Sequence, residues 1–329
     1  MKILVLSPAS IIGEMIIKGI ARGFEALGAD VLLYDVREVN QNEAKNFSPD
    51  VVFGMDYIFF HDKNLEQFID SLNVPCVYYF IDDPKSVFAH GGRENWLDKL
   101  NKRKNSIIYS WDEKYLPDFK SEAHYLSTGI DFELYKQDYP SIDMPQSKLL
   151  FAGRPLTDRR ESIIAEVVKA FPDLLTIYCY PPHFEQSVKN MLEKGFLNEA
   201  QAEDYKKCYR GFLPDEKHLA CAYHRADMIL NITLEQGFSS MNSRVLEGLA
   251  TGSFLISDYI EDTAKYFEEG KDLLLYRNTD ELINYISEYK DSPEKRSIIK
   301  GNAVSKIEKS HTLASRAEII LQRIKKVEK

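Results

Sequence analysis

The sequence predicts an α/β protein of two Rossmann-like, doubly wound domains facing a shared cleft. Three observations lead to that expectation. Apolar runs of strand length alternate with stretches of helical period. The alternation stops over 138–147, where DYPSIDMPQS carries two prolines and no periodicity, and then restarts. The length, 329 residues, suits two domains of ordinary size.

Taken in order, KILVLS is the first strand and Pro8 ends it. Ile12, Ile16, Ile20, Phe24 and Leu27 then recur at helical spacing, and Gly28 supplies the stop. VLLYD follows as a second strand, so the opening is a βαβ unit with a right-handed parallel crossover. DVVF (50–53), VPCVYYFI (74–81) and SIIYS (106–110) are further strands, with helical stretches such as 64–72 between some of them. Runs this uniformly apolar suit a parallel sheet buried on both faces. Beyond the linker come the strand KLLFAG, a helix over Arg159–Ala170 and the strand LLTIYCY. A short strand at Arg210–Leu213, a helix near 215–225, the strand MILNIT, a helix from about Met241 to Ala250 and the strand SFLIS complete a second unit. The tail 311–326 reads as an amphipathic helix, basic in its last turns. The expected domains are therefore 1–140 and 148–310, followed by a terminal helix over 311–329.

Composition narrows the function classes. Apolar residues at 44% and charged residues at 28% exclude a disordered or fibrous chain. A net charge of −9 argues against a nucleic-acid partner. Residues 1–145 hold 15 Lys and Arg against 23 Asp and Glu, a net of −8, whereas 146–329 hold 27 against 28, a net of −1. An anionic ligand therefore belongs on the second half. MKILVLSPAS turns after a few apolar residues, and no run approaches a membrane span, so neither a signal peptide nor membrane association is expected. Cys76, Cys179, Cys208 and Cys221 show no CxxC spacing, and the first two sit in apolar runs. A cytoplasmic protein with reduced thiols is expected.

The most informative segment begins at Asp227 and reads DMILNITLEQGFSSMNSRVLEGLATGSFLISDY. A strand runs into the polar loop Gln236-Gly237-Phe238-Ser239-Ser240, and a helix begins. First-turn amides and the helix dipole bind a diphosphate without a lysine. Arg244, one turn in, adds a charge-assisted bond to phosphate, and Glu247 on the same face accepts two ribose hydroxyl protons. The plain alternative is an N-cap by Ser239 or Ser240, with Glu247 pairing Arg244 at the surface.

SRVLEGLATGSFLISDY resembles the donor-binding segment of GT-B glycosyltransferases, and most closely the CgeB-like (spore-maturation glycosyltransferase-like) branch, whose wording there is S-R-x-x-E-x-L-A-x-G. KLLFAGRPLTDRR resembles the first strand and loop of the donor domain. STGIDFELY resembles the G-[VI]-D-x-x-x-[FY] wording that ends the acceptor domain, and YYFIDDP the Asp-Asp-Pro stretch of the CgeB-like N-terminal half. The resemblance is strong over about 240–260 and weak elsewhere. It implies a metal-independent transfer of a sugar from a nucleotide diphosphate sugar to an acceptor hydroxyl, with no further cofactor. Glu247 would bind the donor ribose, and Ser239, Ser240, Met241, Asn242 and Ser243 would cradle the diphosphate. Arg154, following Gly153, and one of Arg159 or Arg160 would reach the phosphates from the opposite wall. Arg210 and Phe212 lie where the family packs the base. One position departs from the pattern: many retaining members carry a first glutamate eight residues before the ribose-binding one, where this chain has Ser239. Glu235 is out of register, which leaves the sugar and retention versus inversion open.

The first half offers fewer handles. Gly13, in the turn after the first strand, either lets backbone approach the cleft or is a plain turn glycine. Asp82 and Asp83 end an apolar strand, where one is placed to act as general base and the alternative is a turn cap. His61 and His90 lie near strand ends, as candidates or as ordinary surface residues. Trp111 stacks on a sugar or packs in the core. There is no DxD between apolar flanks, HExxH, Cys/His cluster, GxGxxG or GxSxG, so metal, nicotinamide and acyl-transfer sites are not expected. Two alternatives stay beside the transferase: a nucleotide-sugar epimerase or hydrolase on the same fold, and a non-catalytic GT-B-fold binding or assembly protein.

Overall fold

The structure, a computed structural model, describes residues 1–8, 10–56, 58–60, 62–84, 96–103, 105–235 and 239–327. It divides into two compact units. One comprises Met1–Asp131, Gln236–Ser240 and Ser310–Lys329, and the other Phe132–Glu235 and Met241–Lys309.

The first unit holds β1 (Lys2–Ser7), β2 (Asp30–Asp35), β3 (Val51–Met55), β4 (Cys76–Phe80), β5 (Ser106–Ser110) and β6 (Ala123–Tyr125). All are parallel, in the order β2-β1-β3-β4-β5-β6. Its helices are α1 (Ile11–Ala26), α2 (Gln41–Phe47), α3 (Lys63–Leu72), α4 (Trp96–Lys102) and the C-terminal helix Leu313–Val327. The strands alternate between two buried faces. Ile3, Val5, Phe53, Val77 and Tyr79 meet α1 and the C-terminal helix, while Leu4, Leu6, Val52, Tyr78 and Phe80 meet α3. That double burial is why the strands read as unbroken apolar runs. The two helices on the first face touch closely, since a Cβ at Gly23 would lie 2.6 Å from the Ala317 Cβ. The amphipathic tail is thus part of the first unit's core.

The second unit holds β7 (Ser147–Ala152), β8 (Leu175–Tyr178), β9 (Tyr209–Gly211), β10 (Ala226–Asn231), β11 (Leu255–Asp258) and β12 (Leu274–Tyr276), again parallel, in the order β12-β11-β10-β7-β8-β9. Its helices are α5 (Phe132–Tyr135), α6 (Asp158–Ala170), α7 (Pro181–Glu193), α8 (Glu199–Cys208), α9 (Glu216–His224), α10 (Ser243–Ala250), α11 (Glu261–Tyr266), α12 (Thr279–Tyr289), α13 (Pro293–Ile299) and α14 (Val304–Ser310). Strand order reverses between β1 and β3 in the first unit and between β7 and β10 in the second. In open sheets of this kind the ligand crevice lies beyond the carboxyl ends at such a reversal.

Several boundaries differ from expectation. The stretch before β7 is anchored to the second unit: Arg225 donates to the Ile142 carbonyl at 2.9 Å, and α5 packs on α9 and α10. The expected strand at Arg210–Leu213 is Tyr209–Gly211, and Phe212 lies outside it. The three-residue edge strands Ala123–Tyr125 and Leu274–Tyr276 are too short to show a period. All four cysteines are free and buried. Among the described residues, no helix is long and apolar enough to cross a membrane.

Candidate functional site

At the strand reversal of the second unit, β7 is followed by Gly153, whose φ of 156° favours glycine. Arg154 follows, exposed and without a carboxylate partner among the described residues. Thr157 then caps α6 by accepting from the Arg160 amide at 3.1 Å, which puts Arg159 and Arg160 in the first turn. Their roles divide. Arg160 is buried and donates to the carbonyls of Ile232 (2.8 Å) and Arg154 (2.6 Å); burial pushes its pKa down to about 10. Of the expected pair, Arg160 is therefore a structural clamp between two loops. Arg159 keeps a side chain 37% exposed and donates to the Thr233 carbonyl (2.9 Å) and to Asp258 (2.8 Å).

Asp258, which ends β11, organises this edge. It is buried and also accepts from the backbone N and the Oγ1 of Thr233, each at 3.0 Å. Asn231, ending β10, donates to Ser257 Oγ at 2.9 Å and accepts from Asn242 at 3.1 Å. These bonds fix the start of the loop that leads to α10.

Asn242 caps α10, its side chain accepting from Val245 N at 3.3 Å, so the helix begins at Ser243. This corrects the expected start near Met241 and the alternative of a cap by Ser239 or Ser240. Asn wins because its carboxamide reaches the N3 amide from the residue directly before the helix. Two amides of the expected cradle are already engaged by carboxylates. Ser239 N donates to Asp112 at 3.2 Å within the first unit, joined there by the Ser239 hydroxyl, and Met241 N donates to Asp262 at 3.1 Å. The Ser243 and Arg244 amides have no intrahelical acceptor. Ser240 Oγ is buried with no hydrogen-bond partner among the described residues. Arg244 donates to Glu247, as the plain alternative foresaw, but Glu247 is only 4% exposed and the pair is not a surface one. Burial by itself would lower the Arg244 pKa; the Glu247 carboxylate and the Tyr223 and Tyr135 hydroxyls outweigh it and hold the pKa above its ordinary value.

At the ends of β8 and β9, Tyr180 and Phe212 are 52% and 54% exposed and meet edge to face, ring centres 6.0 Å apart. Tyr180 was not foreseen beside Phe212. Arg210 bonds back to the Tyr209 carbonyl at 3.0 Å, which directs its guanidinium along its own strand.

The first unit's carboxyl edge is acidic. Asp82 and Asp83 follow β4, each half-buried. Burial, then the Asp83 charge, raises the Asp82 carboxyl. Asp56, not foreseen, directly follows β3 in left-handed backbone (φ 48°), is buried, and accepts from Ile81 N at 2.9 Å. Burial, then Asp82, holds it well above the usual carboxylate range. Asp112, buried after β5, caps the turn that follows through Lys114 N at 3.0 Å. Trp111 is half-buried, and its Nε1 is buried without a partner among the described residues. Gly13 is not a turn residue. It lies in the first turn of α1, its N donating to the Ser10 cap at 3.2 Å, and a Cβ there would sit 2.5 Å from Pro8 Cγ. His61 and His90 lie outside the described residues. Asp56 and Asp258 share a signal available in the sequence: each carboxylate directly ends an apolar strand, in VVFGMD and LISD.

Residues 159–322 match the family described as Glycosyl transferase-like. No curated protein sequence matches the chain. Among solved structures it is similar to a sucrose-phosphate synthase from Thermosynechococcus elongatus, with 12% identity, TM-score 0.67 and coverage of 99% of this chain and 98% of the other. Anabaena HepE, solved in complex with UDP and glucose, is similar at 13% identity and TM-score 0.67, over 99% of this chain and 100% of the other. A glycosyltransferase from Rickettsia africae gives 12% identity and TM-score 0.69, over 100% and 98%. At such identities the likeness shows the fold. The chain has the two-unit, parallel-sheet GT-B glycosyltransferase fold, and its C-terminal half matches the glycosyl transferase-like family.

Proposed function

We propose that the chain is a glycosyltransferase of the CgeB-like branch that moves a sugar from a nucleotide diphosphate sugar to an acceptor hydroxyl, without a metal and without a further cofactor. The observation that carries this reading is the strand reversal of the second unit. There the Gly153-Arg154 turn after β7 and the α10 N-terminus after β10 stand on neighbouring strands, within a GT-B fold shared with Anabaena HepE, which was solved in complex with UDP and with UDP-glucose. The Ser243 and Arg244 amides, the α10 dipole and the exposed Arg154 are donors for a diphosphate. Arg159 joins them from its Asp258 anchor. Glu247 takes the ribose hydroxyls, and the exposed Tyr180–Phe212 pair is an apolar platform for the base.

On the acceptor side, Asp82 is the general base and removes the proton of the attacking hydroxyl. Its raised pKa brings it closer to the working range of such a base. As the bond to the anomeric carbon forms and the bond to the diphosphate breaks, the arginines and helix amides stabilise the departing charge. The test is calorimetry with UDP, GDP and ADP, followed by a product assay with the matching hexose donors in EDTA. The reading expects one diphosphate to bind, binding to weaken in Glu247→Gln, and transfer to survive the chelator. Binding by none of them would overturn it, and turnover of donor without an acceptor would convert it to a hydrolase or epimerase.

A further inference from the structure

Glu247 is ion-paired within its own helix and almost fully buried, and that combination bears on what Arg244 does. Three elements bring titratable groups to it. Arg244 lies on α10 itself, Tyr223 comes from α9, and Tyr135 from α5. The Tyr135 hydroxyl is buried and has no hydrogen-bond partner among the described residues, so it does not neutralise the carboxylate. Glu216 of α9 acts on Tyr135, and His224 bonds to the Tyr135 carbonyl at 3.0 Å. β10 and β11 also pack on α10, but their acids are engaged elsewhere: Asp227 with Gln146 and Arg296, Asp258 with Arg159 and Thr233. Arg244 is therefore the cation available to Glu247 among these groups.

Burying a carboxylate this deeply is costly unless a cation or hydrogen-bond donors meet it, and Arg244 meets Glu247. Ionisation matters for the diol. An ionised carboxylate is purely an acceptor with two charged oxygens, whereas a protonated one turns one oxygen into a donor and accepts only through weaker, uncharged hydrogen bonds. We propose that Arg244 is a positioning residue, which pairs with Glu247 and orients its carboxylate as the acceptor for a ribose diol, and does not bind the diphosphate. The proposal rests on the reading of Glu247 as the ribose contact, and it replaces the phosphate contact expected of Arg244 from spacing.

The experiment is calorimetry on the full chain with UDP, GDP and ADP, their 2′-deoxy counterparts, and inorganic pyrophosphate as competitor. The wild-type chain should bind the ribonucleotide about tenfold tighter than the deoxynucleotide, the worth of one hydrogen bond to a charged group. Glu247→Gln should lose that preference. Arg244→Gln should lose it, with pyrophosphate competition unchanged, while Arg244→Lys keeps the preference. Equal weakening of ribonucleotide, deoxynucleotide and pyrophosphate in Arg244→Gln, with the preference intact, would make Arg244 a phosphate ligand and overturn the proposal. A preference that survives Glu247→Gln, or no binding by the wild-type chain, would instead remove the ribose reading beneath it. Denaturant unfolding of the free protein supplies a ligand-independent arm. Arg244→Gln/Glu247→Gln should be more stable than Arg244→Gln, because removing both charges removes the unpaired one; equal or lower stability counts against the pairing.

Discussion

Both sheets are six-stranded and parallel with one reversal of strand order, but their strand orders differ and the electrostatics of their carboxyl edges are opposite. In the second unit, buried carboxylates meet arginines: Asp258 meets Arg159, and Glu247 meets Arg244. In the first, Asp56 and Asp112 are met by backbone amides, those of Ile81 and Lys114, and Asp82 stands near both Asp56 and Asp83. The consequence shows in the pKa directions. Arg244 is pushed up and stays a cation, whereas Asp56 and Asp82 are pushed toward holding a proton. One edge suits a fixed anion and the other a proton in transit. The charge split of −8 against −1 between the two stretches of chain thus has a local component at the strand ends.

The largest effect should come from breaking the acidic edge. On the proposed assignment, Asp82→Asn lowers kcat about 10²- to 10⁴-fold, the usual worth of a general base, and leaves nucleotide affinity unchanged. Steady-state kinetics alongside calorimetry separates the two; a fall in affinity with kcat intact would place Asp82 outside the chemistry. The converse test breaks the other edge. Asp258→Ala removes the acceptor for Thr233 N and for Arg159. A fully buried pair costs about 3–5 kcal/mol to break, and the partial exposure of Arg159 brings the expected loss to about 2–3 kcal/mol in denaturant unfolding. Nucleotide affinity should fall with it, because the loop into α10 loses its anchor.

How much of this was legible in the sequence follows the same division. The central strands read correctly because burial on both faces leaves an apolar run that little else imitates, as in KILVLS and SIIYS. The edge strand Ala123–Tyr125 has three residues, each only half-buried, and shows no such run. Glu247 and Arg244 form a pair that their spacing suggests, but spacing does not say whether a pair is buried, and the structure buries Glu247 beside Arg244. Asp56 and Asp258 were missed because a lone carboxylate after a strand looks like a turn residue. Their importance lies in contacts 25 positions away in each case, Asp56 with Ile81 and Asp258 with Thr233. Gly13 reads as a turn glycine from its place just after the first strand, yet it lies in the first turn of α1, where close packing outweighs its low helix propensity.

That packing makes a smaller prediction for the acidic edge. Gly13→Ala would put a Cβ 2.5 Å from Pro8 Cγ and 2.6 Å from Ser10 Oγ, so the α1 start must shift. Overpacking costs about 1–3 kcal/mol, and alanine returns up to about 1 kcal/mol of helix propensity. A net loss of about 1–2 kcal/mol is expected in denaturant unfolding. An unchanged or raised stability would mean that Pro8 and Ser10 yield freely.

The smallest effect is a displacement along the pH axis. The base must be ionised to accept a proton, so kcat falls as pH drops through the Asp82 pKa. That pKa is raised first by burial and second by the Asp83 charge. The other acid in its surroundings is Asp56, which burial itself holds toward the neutral form, and Tyr115 lies in the field of both Asp82 and Asp83. Asp83→Asn removes only the second cause. The acid limb of kcat should therefore move to lower pH and yet remain above the ordinary carboxylate range, because the burial of Asp82 is untouched. A limb that does not move would assign it to a group other than Asp82. A limb that moves upward would mean that Asp83 donates to the ionised Asp82 and does not repel it, and the two carboxyls would then share a proton as one unit.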